Sequence, residues 1–380
     1  MDLEALREKL NGVDDEILRL FLERMETVGK IADYKKEHNL PVLSAKRERS
    51  ILERVCEKSG EELEDYTRIL YTTLFDLSRS YQTRKLNPNG GVLSSKIQSA
   101  LENTPQLFPK RGIVACQGVE GAYSQHACDK LFPSANIIYF KNFEGVFSAV
   151  ERGLCQYGML PIENSIHGTV NEVYDLMRHF RFYIVRSVKL KIDHALLTAP
   201  GVRMTDIREI FSHEQAVGQC SEFLKKYPQI KVTICENTAM AAQKVAESGR
   251  KDCASISSRD CASLYGLQVA EDGIQNSDSN YTRFICIAKE MAIYPGANRI
   301  SLMLSVPHTP GALYTMISKF SALGLNLTKL ESRPIPGRDF EFLFYFDMEA
   351  SVYSPAVLSL LDELAGGPEQ FVFLGSYSEG

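Results

Sequence analysis

Residues 2–40 read DLEALREKLNGVDDEILRLFLERMETVGKIADYKKEHNL, with no proline and only Gly12 and Gly29 as glycines, before Pro41 ends the run. Leu3, Leu6, Leu10, Val13, Ile17, Leu20, Val28 and Ile31 step mostly by threes and fours, the period of a helix. A helix from 2 to 39 would be about 57 Å long at 1.5 Å per residue. Further helical patterns occupy 45–58 and 62–86, separated by Ser59-Gly60. A compact globule of about 87 residues has a radius of gyration of about 12 Å, so two short helices cannot cover the long one. The sequence therefore predicts an all-α, three-helix segment that pairs with a second chain as a homodimer.

The same seam carries cations. Continuing the spacing from Ile17 through Leu20 lands on Arg24, and continuing past Ile31 lands on Lys35. Eleven residues of helix return to within about 20° of the same direction, so both face one way. Arg7 lies beside the seam near its start. Unpaired charge on a buried face is costly. Either these side chains snorkel to solvent or pair with Glu23, Glu48 and Asp33, or they receive an anionic ligand.

Working outward, Asn87-Pro88-Asn89-Gly90-Gly91 opens a linker, 89–109, with room for a short helix at 94–102. From Arg111 short apolar runs (GIVAC, NIIYF, YGMLPI, IREIF, KVTIC, RFICIA) alternate with helical patterns at 123–131, 143–152, 169–179, 215–227 and 238–248. That alternation predicts an α/β domain over 110–291. The extended stretch FYIVRSVKLKIDHALLT lies where a chain would cross between two lobes, and a cleft between lobes suits a small ligand. Over 297–377 the order strand, helix, strand, strand, helix, strand predicts a ferredoxin-like βαββαβ module.

Composition narrows the function classes. The chain has 380 residues, a net charge of −5 and 24% charged residues, with no basic excess to suggest nucleic acid. No apolar run is long enough to span a bilayer, and the N-terminus, charged from its second residue, reads as neither signal nor transit peptide. The expected location is the cytoplasm. Nine scattered cysteines without a C-x-x-C pair, and histidines without a cluster, point away from disulfides and metal.

Polar groups recur at the ends of the α/β strands. GVEGAYS (118–124) is a glycine turn into a helix, whose N-terminus can hold a carboxylate. PIENSIHGTV ends a strand with Glu163, Asn164 and Ser165; SHEQAVGQC does so with Ser212, His213 and Gln215; NYTRF places Thr282 and Arg283 at the opening of another. Each alone is ordinary loop chemistry, but their recurrence after successive strands favours a shared cleft. In the C-terminal module, HTPGALYTMI puts Pro310-Gly311 at a helix start and LESRP (330–334) ends the next strand.

ALREKLNGVDDEILRLFLERM, VGKIADYKK, KRER and LSRSYQ resemble the AroQ-type chorismate mutase family over the first 87 residues. The resemblance implies rearrangement of chorismate to prephenate. It assigns Arg7 and Arg24 to the substrate carboxylates, one of them across the dimer, by bidentate contact. Lys35 and Gln82 would flank the ether oxygen, where negative charge develops. Glu48 and Ser78 would hold the ring hydroxyl and its neighbours. Ser44 stands where the family commonly has an aspartate near the substrate, and is also a fitting N-cap for the second helix.

PIENS, SH-x-Q and TRF together resemble prephenate dehydratase over roughly 110–290, a two-lobed fold like that of periplasmic binding proteins. In that family the threonine of TRF is tied to catalysis. This implies Thr282 as hydrogen-bond donor to the departing hydroxyl, with Asn164, Ser165, Ser212, His213 and Arg283 binding or orienting prephenate, and no cofactor or metal. GALY and ESRP resemble the phenylalanine-binding ACT domain, with Tyr314 where that motif has an aliphatic residue. Gly311, Ala312, Leu313, Glu331, Ser332 and Arg333 become candidates for the effector site. The order of the three segments resembles the bifunctional chorismate mutase–prephenate dehydratases of bacteria, inhibited by phenylalanine. Two alternatives are a dehydratase whose helical segment only dimerises, and a non-catalytic amino-acid sensor.

Overall fold

The computed structural model describes residues 2–86, 90–338 and 341–380. The N-terminal helices are α1 (Leu3–Glu37), α2 (Ala45–Ser59) and α3 (Glu64–Leu86). Asp2 caps α1 through the Glu4 N–H, and Lys35 and Lys36 lie in its last turn, where the helix dipole favours cations. The buried residues of α1 (Val28, Gly29 and Ala32) are all in its C-terminal half. Its N-terminal half is bare: Leu6, Leu10, Val13, Ile17 and Leu20 are between 44% and 59% exposed. A single chain leaves the apolar seam open.

The expected domain boundary at residue 88 lies outside the described residues, as does Phe340 at the start of one expected strand. The linker holds a helix where the sequence left room for one at 94–102. Helix α4 (Val92–Asn103) sends Ile97, fully buried, and Ala100 into the core of the C-terminal domain. Asp362 of that domain caps α4, accepting from the N–H groups of Gly91 and Ser94 at 2.6 and 3.0 Å.

The first α/β lobe runs through β1 (Ile113–Gln117), α5 (Tyr123–Leu131), β2 (Asn136–Phe140), α6 (Phe143–Glu151), β3 (Tyr157–Asn164), β4 (Gly168–Thr169), α7 (Asn171–Met177) and β5 (Tyr183–Lys191). The chain crosses to the second lobe after Lys191, within the extended stretch noted above. That lobe holds β6 (Ala195–Thr198), β7 (Glu209–Ser212), α8 (Glu214–Gln219), α9 (Ser221–Lys225), β8 (Lys231–Ile234), α10 (Thr238–Ser248), β9 (Cys253–Ser257), α11 (Asp260–Tyr265) and β10 (Gln268–Glu271). The single helical pattern at 215–227 resolves into two short helices, α8 and α9, meeting at Cys220. The chain returns as β11 (Tyr281–Ala288), which inserts between β3 and β5, antiparallel to both. The sheet orders are β2-β1-β3-β11-β5, with β4 on β3, and β10-β6-β9-β7-β8.

The C-terminal domain comprises β12 (Arg299–Ser305), α12 (Ala312–Ala322), β13 (Asn326–Pro334), β14 (Phe342–Glu349), α13 (Pro355–Ala365) and β15 (Phe371–Tyr377). Its antiparallel sheet is ordered β13-β14-β12-β15. One face packs on α12, α13 and α4. The other face contributes Met303, Leu343, Tyr345, Leu374 and Tyr377 to a core shared with the first lobe. Strand β15 passes close to β5: Gly375 has φ +149°, and a Cβ there would lie 2.2 Å from the Ile184 carbonyl oxygen. All nine cysteines are free and eight are buried. Among the described residues, no helix is long and apolar enough to cross a membrane.

Candidate active sites

Where α3 packs along α1, four of the expected mutase residues meet. Arg24 Nη1 donates to Ser78 Oγ at 2.5 Å and to the Leu74 carbonyl at 3.3 Å. Lys35 Nζ donates to Gln82 Oε1 at 3.2 Å and to the Val42 carbonyl at 2.5 Å. Ser78 and Gln82, four residues apart on α3, are both 6% exposed. The acids that could have neutralised the two cations are already paired: Glu23 with Arg19, Glu48 with Arg79, and Asp33 with Lys85. Neither Arg24 nor Lys35 has a carboxylate within ion-pair distance among the described residues. Burial holds both below their usual pKa ranges, opposed at Arg24 by Tyr71 and at Lys35 by Glu48. Two half-buried cations without a paired carboxylate, beside the Ser78 hydroxyl and the Gln82 amide, suit an anionic ligand.

Arg7 does not join this group. Seventeen residues of helix separate it from Arg24, about 25 Å, and it is exposed. Ser44 precedes α2 at the N-cap position, yet its side chain makes no capping bond and is exposed. Arg79, which the periodicity did not single out, holds Glu48 through both carboxylate oxygens at 2.5 Å.

The dehydratase candidates centre on β3 and β11. Asn164 lies opposite Thr282 in the ladder, and Glu163 opposite Arg283; the register then shifts, so that Phe284 faces Pro161. Such a bulge re-aims side chains locally. Asn164 Nδ2 is 2.9 Å from Thr282 Oγ1 and 2.8 Å from Asn280 Oδ1. Its Oδ1 accepts from the N–H groups of Ile166 and His167, both at 3.0 Å, which fixes the orientation of the amide. Ser165 staples the strand ends, donating to the Ser279 carbonyl and accepting from Tyr281 N–H, each at 2.9 Å.

His167, which the sequence did not single out, bonds across to the second lobe. Its Nδ1 is 3.2 Å from Gln219 Nε2, and Gln219 Oε1 is 2.7 Å from Nε2 of the buried His194. Burial lowers the pKa of His194, with the Gln219 bond and Asp193 opposing. His213 is half-buried at the start of α8; burial lowers its pKa too, Glu214 opposes, and His167 adds to the lowering. Ser212 is fully buried and donates its hydroxyl to the Ile256 carbonyl at 2.9 Å. The GVEGAYS turn sits against α11, where the Tyr265 hydroxyl donates to the Glu120 carbonyl. Among the described residues no group of His, Cys, Asp and Glu could hold a metal ion.

Arg283 requires a correction. Successive residues of a strand face opposite sides, so Arg283 points away from Thr282. It pairs instead with Asp347 of β14 at 2.5 Å, in the interface with the C-terminal domain. The same alternation divides the ESRP motif. Glu331 accepts from Thr169 at 2.7 Å, and Arg333 binds Asp175 through two bonds of 2.8 and 2.6 Å, both towards the first lobe. Ser332 lies opposite Phe344, on the sheet face that carries α12. Gly311, at φ +81°, precedes α12, with Ala312 and Leu313 in its first turn.

The structure joins a helical segment carrying two cations without carboxylate partners to a two-lobed α/β domain with polar strand ends, two separate places suited to small ligands. Residues 6–83 match the family model for chorismate mutase type II, and residues 114–292 that for prephenate dehydratase. The chain is 32% identical to the bifunctional chorismate mutase/prephenate dehydratase of Escherichia coli K12, over 99% of its own length and 96% of that protein's. Among solved structures, a prephenate dehydratase from Arthrobacter aurescens in complex with L-Phe matches with a TM-score of 0.65 and 27% identity, over 70% of this chain and 89% of that one. A protein described as a novel type of quorum-quenching acylase, GqqA, matches with a TM-score of 0.64 and 31% identity, over 70% and 98%. The chain belongs to the bifunctional chorismate mutase/prephenate dehydratase family. It carries a mutase domain followed by a dehydratase domain.

Proposed function

We propose that Arg24, Lys35, Ser78 and Gln82 form most of the chorismate site, completed by Arg7 of a second chain. The observation that carries this assignment is the pair of cations whose possible acid partners are all engaged elsewhere. Arg24 takes a substrate carboxylate. Lys35 and Gln82 stabilise the ether oxygen as its bond to the ring carbon breaks. Glu48, oriented by Arg79, and Ser78 hold the ring hydroxyl and neighbouring groups, with Ser44 at the rim. The open seam of α1 supports a homodimer, because a second long helix would cover it.

Prephenate then loses carbon dioxide and water at the second site. The electron pair of the bond to the leaving carboxylate moves through the ring and expels hydroxide, which takes a proton from solvent to leave as water, and the ring becomes aromatic. Thr282 donates a hydrogen bond to the departing oxygen, Asn164 orients Thr282, and His213 and Ser165 shape the surrounding cleft. We assign Ser212 to the support of β7.

The C-terminal domain reads as an ACT domain that takes phenylalanine at Gly311, Ala312 and Leu313, together with Ser332. Glu331 and Arg333 connect that site to the dehydratase, so bound effector favours one arrangement of the pair. Purified full-length protein given chorismate should form prephenate and then phenylpyruvate without added metal or nucleotide. Absence of either product would remove the corresponding assignment.

A further inference from the structure

On the face of β3 and β11 opposite the Asn164–Thr282 pair, a chain of charges joins the dehydratase to the C-terminal domain. Arg283 Nη2 is 2.5 Å from Asp347 Oδ2 and 3.4 Å from Glu163 Oε2. Lys329 Nζ reaches the other oxygen of Glu163 at 2.8 Å and Thr169 Oγ1 at 2.7 Å. The second oxygen of Asp347 accepts from Ser301 at 2.6 Å, and Ser301 bonds the Tyr377 hydroxyl at 2.7 Å. The side chains of Arg283 and Lys329 are 11% exposed and that of Asp347 is 9% exposed. Burial works against the charge on Arg283, but Asp347, Tyr377 and Tyr174 around it together outweigh burial and raise its pKa.

Stability alone does not explain such a cluster. A buried ion pair is commonly no better for stability than well-packed apolar residues, although removing one partner is costly. Apolar packing is available at this interface, where Met303, Leu343, Tyr345 and Leu374 already meet the first lobe. What ion pairs add is a fixed geometry. It is needed here because the β3/β11 ladder changes register right after Arg283, where hydrogen bonding between the strands is interrupted.

We propose that Lys329 and Asp347, two residues of the C-terminal domain, are positioning residues for the dehydratase. Lys329 holds Glu163 and Asp347 holds Arg283. Glu163 and Arg283 are the immediate chain neighbours of Asn164 and Thr282. Clamping one face of the two strands therefore sets the spacing of the catalytic pair on the other. A displacement of about 1 Å at reacting groups can cost about 10²-fold in rate, so a modest change in the clamp is amplified. Strand β13 carries Lys329 towards the dehydratase and Ser332 towards α12, so a movement of β13 would reach both. The inference rests on the assignment of Thr282 as the catalytic hydroxyl.

The test uses full-length protein and the variants Asp347→Asn, Asp347→Glu, Lys329→Met and Thr282→Ala, with dehydratase kcat and KM, mutase rate and Tm measured for each. Asp347→Asn and Lys329→Met should each lower dehydratase kcat about tenfold or more, by misplacing groups that are still present, with KM for prephenate and the mutase rate little changed. Asp347→Glu, which keeps the charge, should recover a substantial part of the loss. An unchanged kcat in Asp347→Asn, or a loss that follows Tm and affects both activities equally, would overturn the proposal. If Asp347→Asn does not fold, Lys329→Met decides by the same criteria. Retained dehydratase activity in Thr282→Ala would instead refute the catalytic assignment, which keeps the two failures distinct.

Discussion

Asn164 Nδ2 lies 2.9 Å from Thr282 Oγ1, and the amide cannot be reversed without losing the two backbone N–H groups that bond its oxygen. The threonine oxygen is therefore an acceptor towards Asn164, which leaves its own proton to be donated elsewhere. That polarity is what a departing hydroxyl requires. Thr282→Ala should lower dehydratase kcat about 10²- to 10³-fold, the range for losing one positioned hydrogen-bond donor to developing negative charge. Thr282→Ser should retain most of the rate. Assays with prephenate, with the mutase reaction as an internal control, would refute this if Ala and Ser behaved alike.

At the other site, Arg24→Ala should abolish the mutase and leave the dehydratase intact, with a loss of about 10²-fold or more for an electrostatic contact of this kind. Loss of both activities in a folded variant would show that the two sites are not independent.

Complementation tests the shared mutase site. Arg7→Ala and Arg24→Ala chains, each inactive alone, should regain activity when unfolded together and refolded as mixed dimers. Half of the randomly paired dimers hold one intact site, so about a quarter of wild-type activity should return. No recovery would place Arg7 and Arg24 in the same chain's site or remove Arg7 from it.

Lys35 gives the mutase a pH dependence with a definite sign. It carries the positive charge that stabilises the ether oxygen only when protonated, and burial lowers its pKa, with Glu48 opposing. The protonated form is complete at low pH and is lost as pH rises through the lowered value. Mutase kcat/KM should therefore fall on the alkaline side, beginning below the usual lysine range, and Lys35→Arg should remove that limb. A wild-type profile flat past the lysine range would contradict the role.

Phenylalanine should slow the dehydratase. Ser332→Ala should weaken its binding directly, whereas Arg333→Ala should relieve inhibition with less effect on binding, because Arg333 is held by Asp175. Calorimetry alongside inhibition curves would separate the two. Identical behaviour would reject this division of the motif.

Much of the architecture follows from periodicity alone. The spacing of apolar residues marks the three N-terminal helices, and turn residues between short apolar runs mark most strands of the α/β lobes. The common face of Arg24 and Lys35 also follows, since a helix maps spacing in sequence onto a face in space, whereas Ser78 and Gln82 entered only through the family resemblance. The short helix for which the linker had room at 94–102 forms as α4, but no local pattern shows that Ile97 fills a space between elements far away in the chain. Ile97→Ala should destabilise the C-terminal domain by about 2–5 kcal/mol, as expected for a fully buried aliphatic residue.

What the sequence determined by itself is local: which segments are helix or strand, which face of α1 is apolar, and which residue types stand at the strand ends. Only the tertiary structure decided where those residues point and whom they meet. The sequence grouped Thr282 with Arg283, and Glu331 and Arg333 with Ser332, because they are adjacent in the chain. In a strand adjacent side chains face opposite layers, so each motif is divided between a ligand site and a domain interface. Which face belongs to which partner depends on contacts such as Arg283–Asp347, between residues 64 positions apart. No local pattern encodes them.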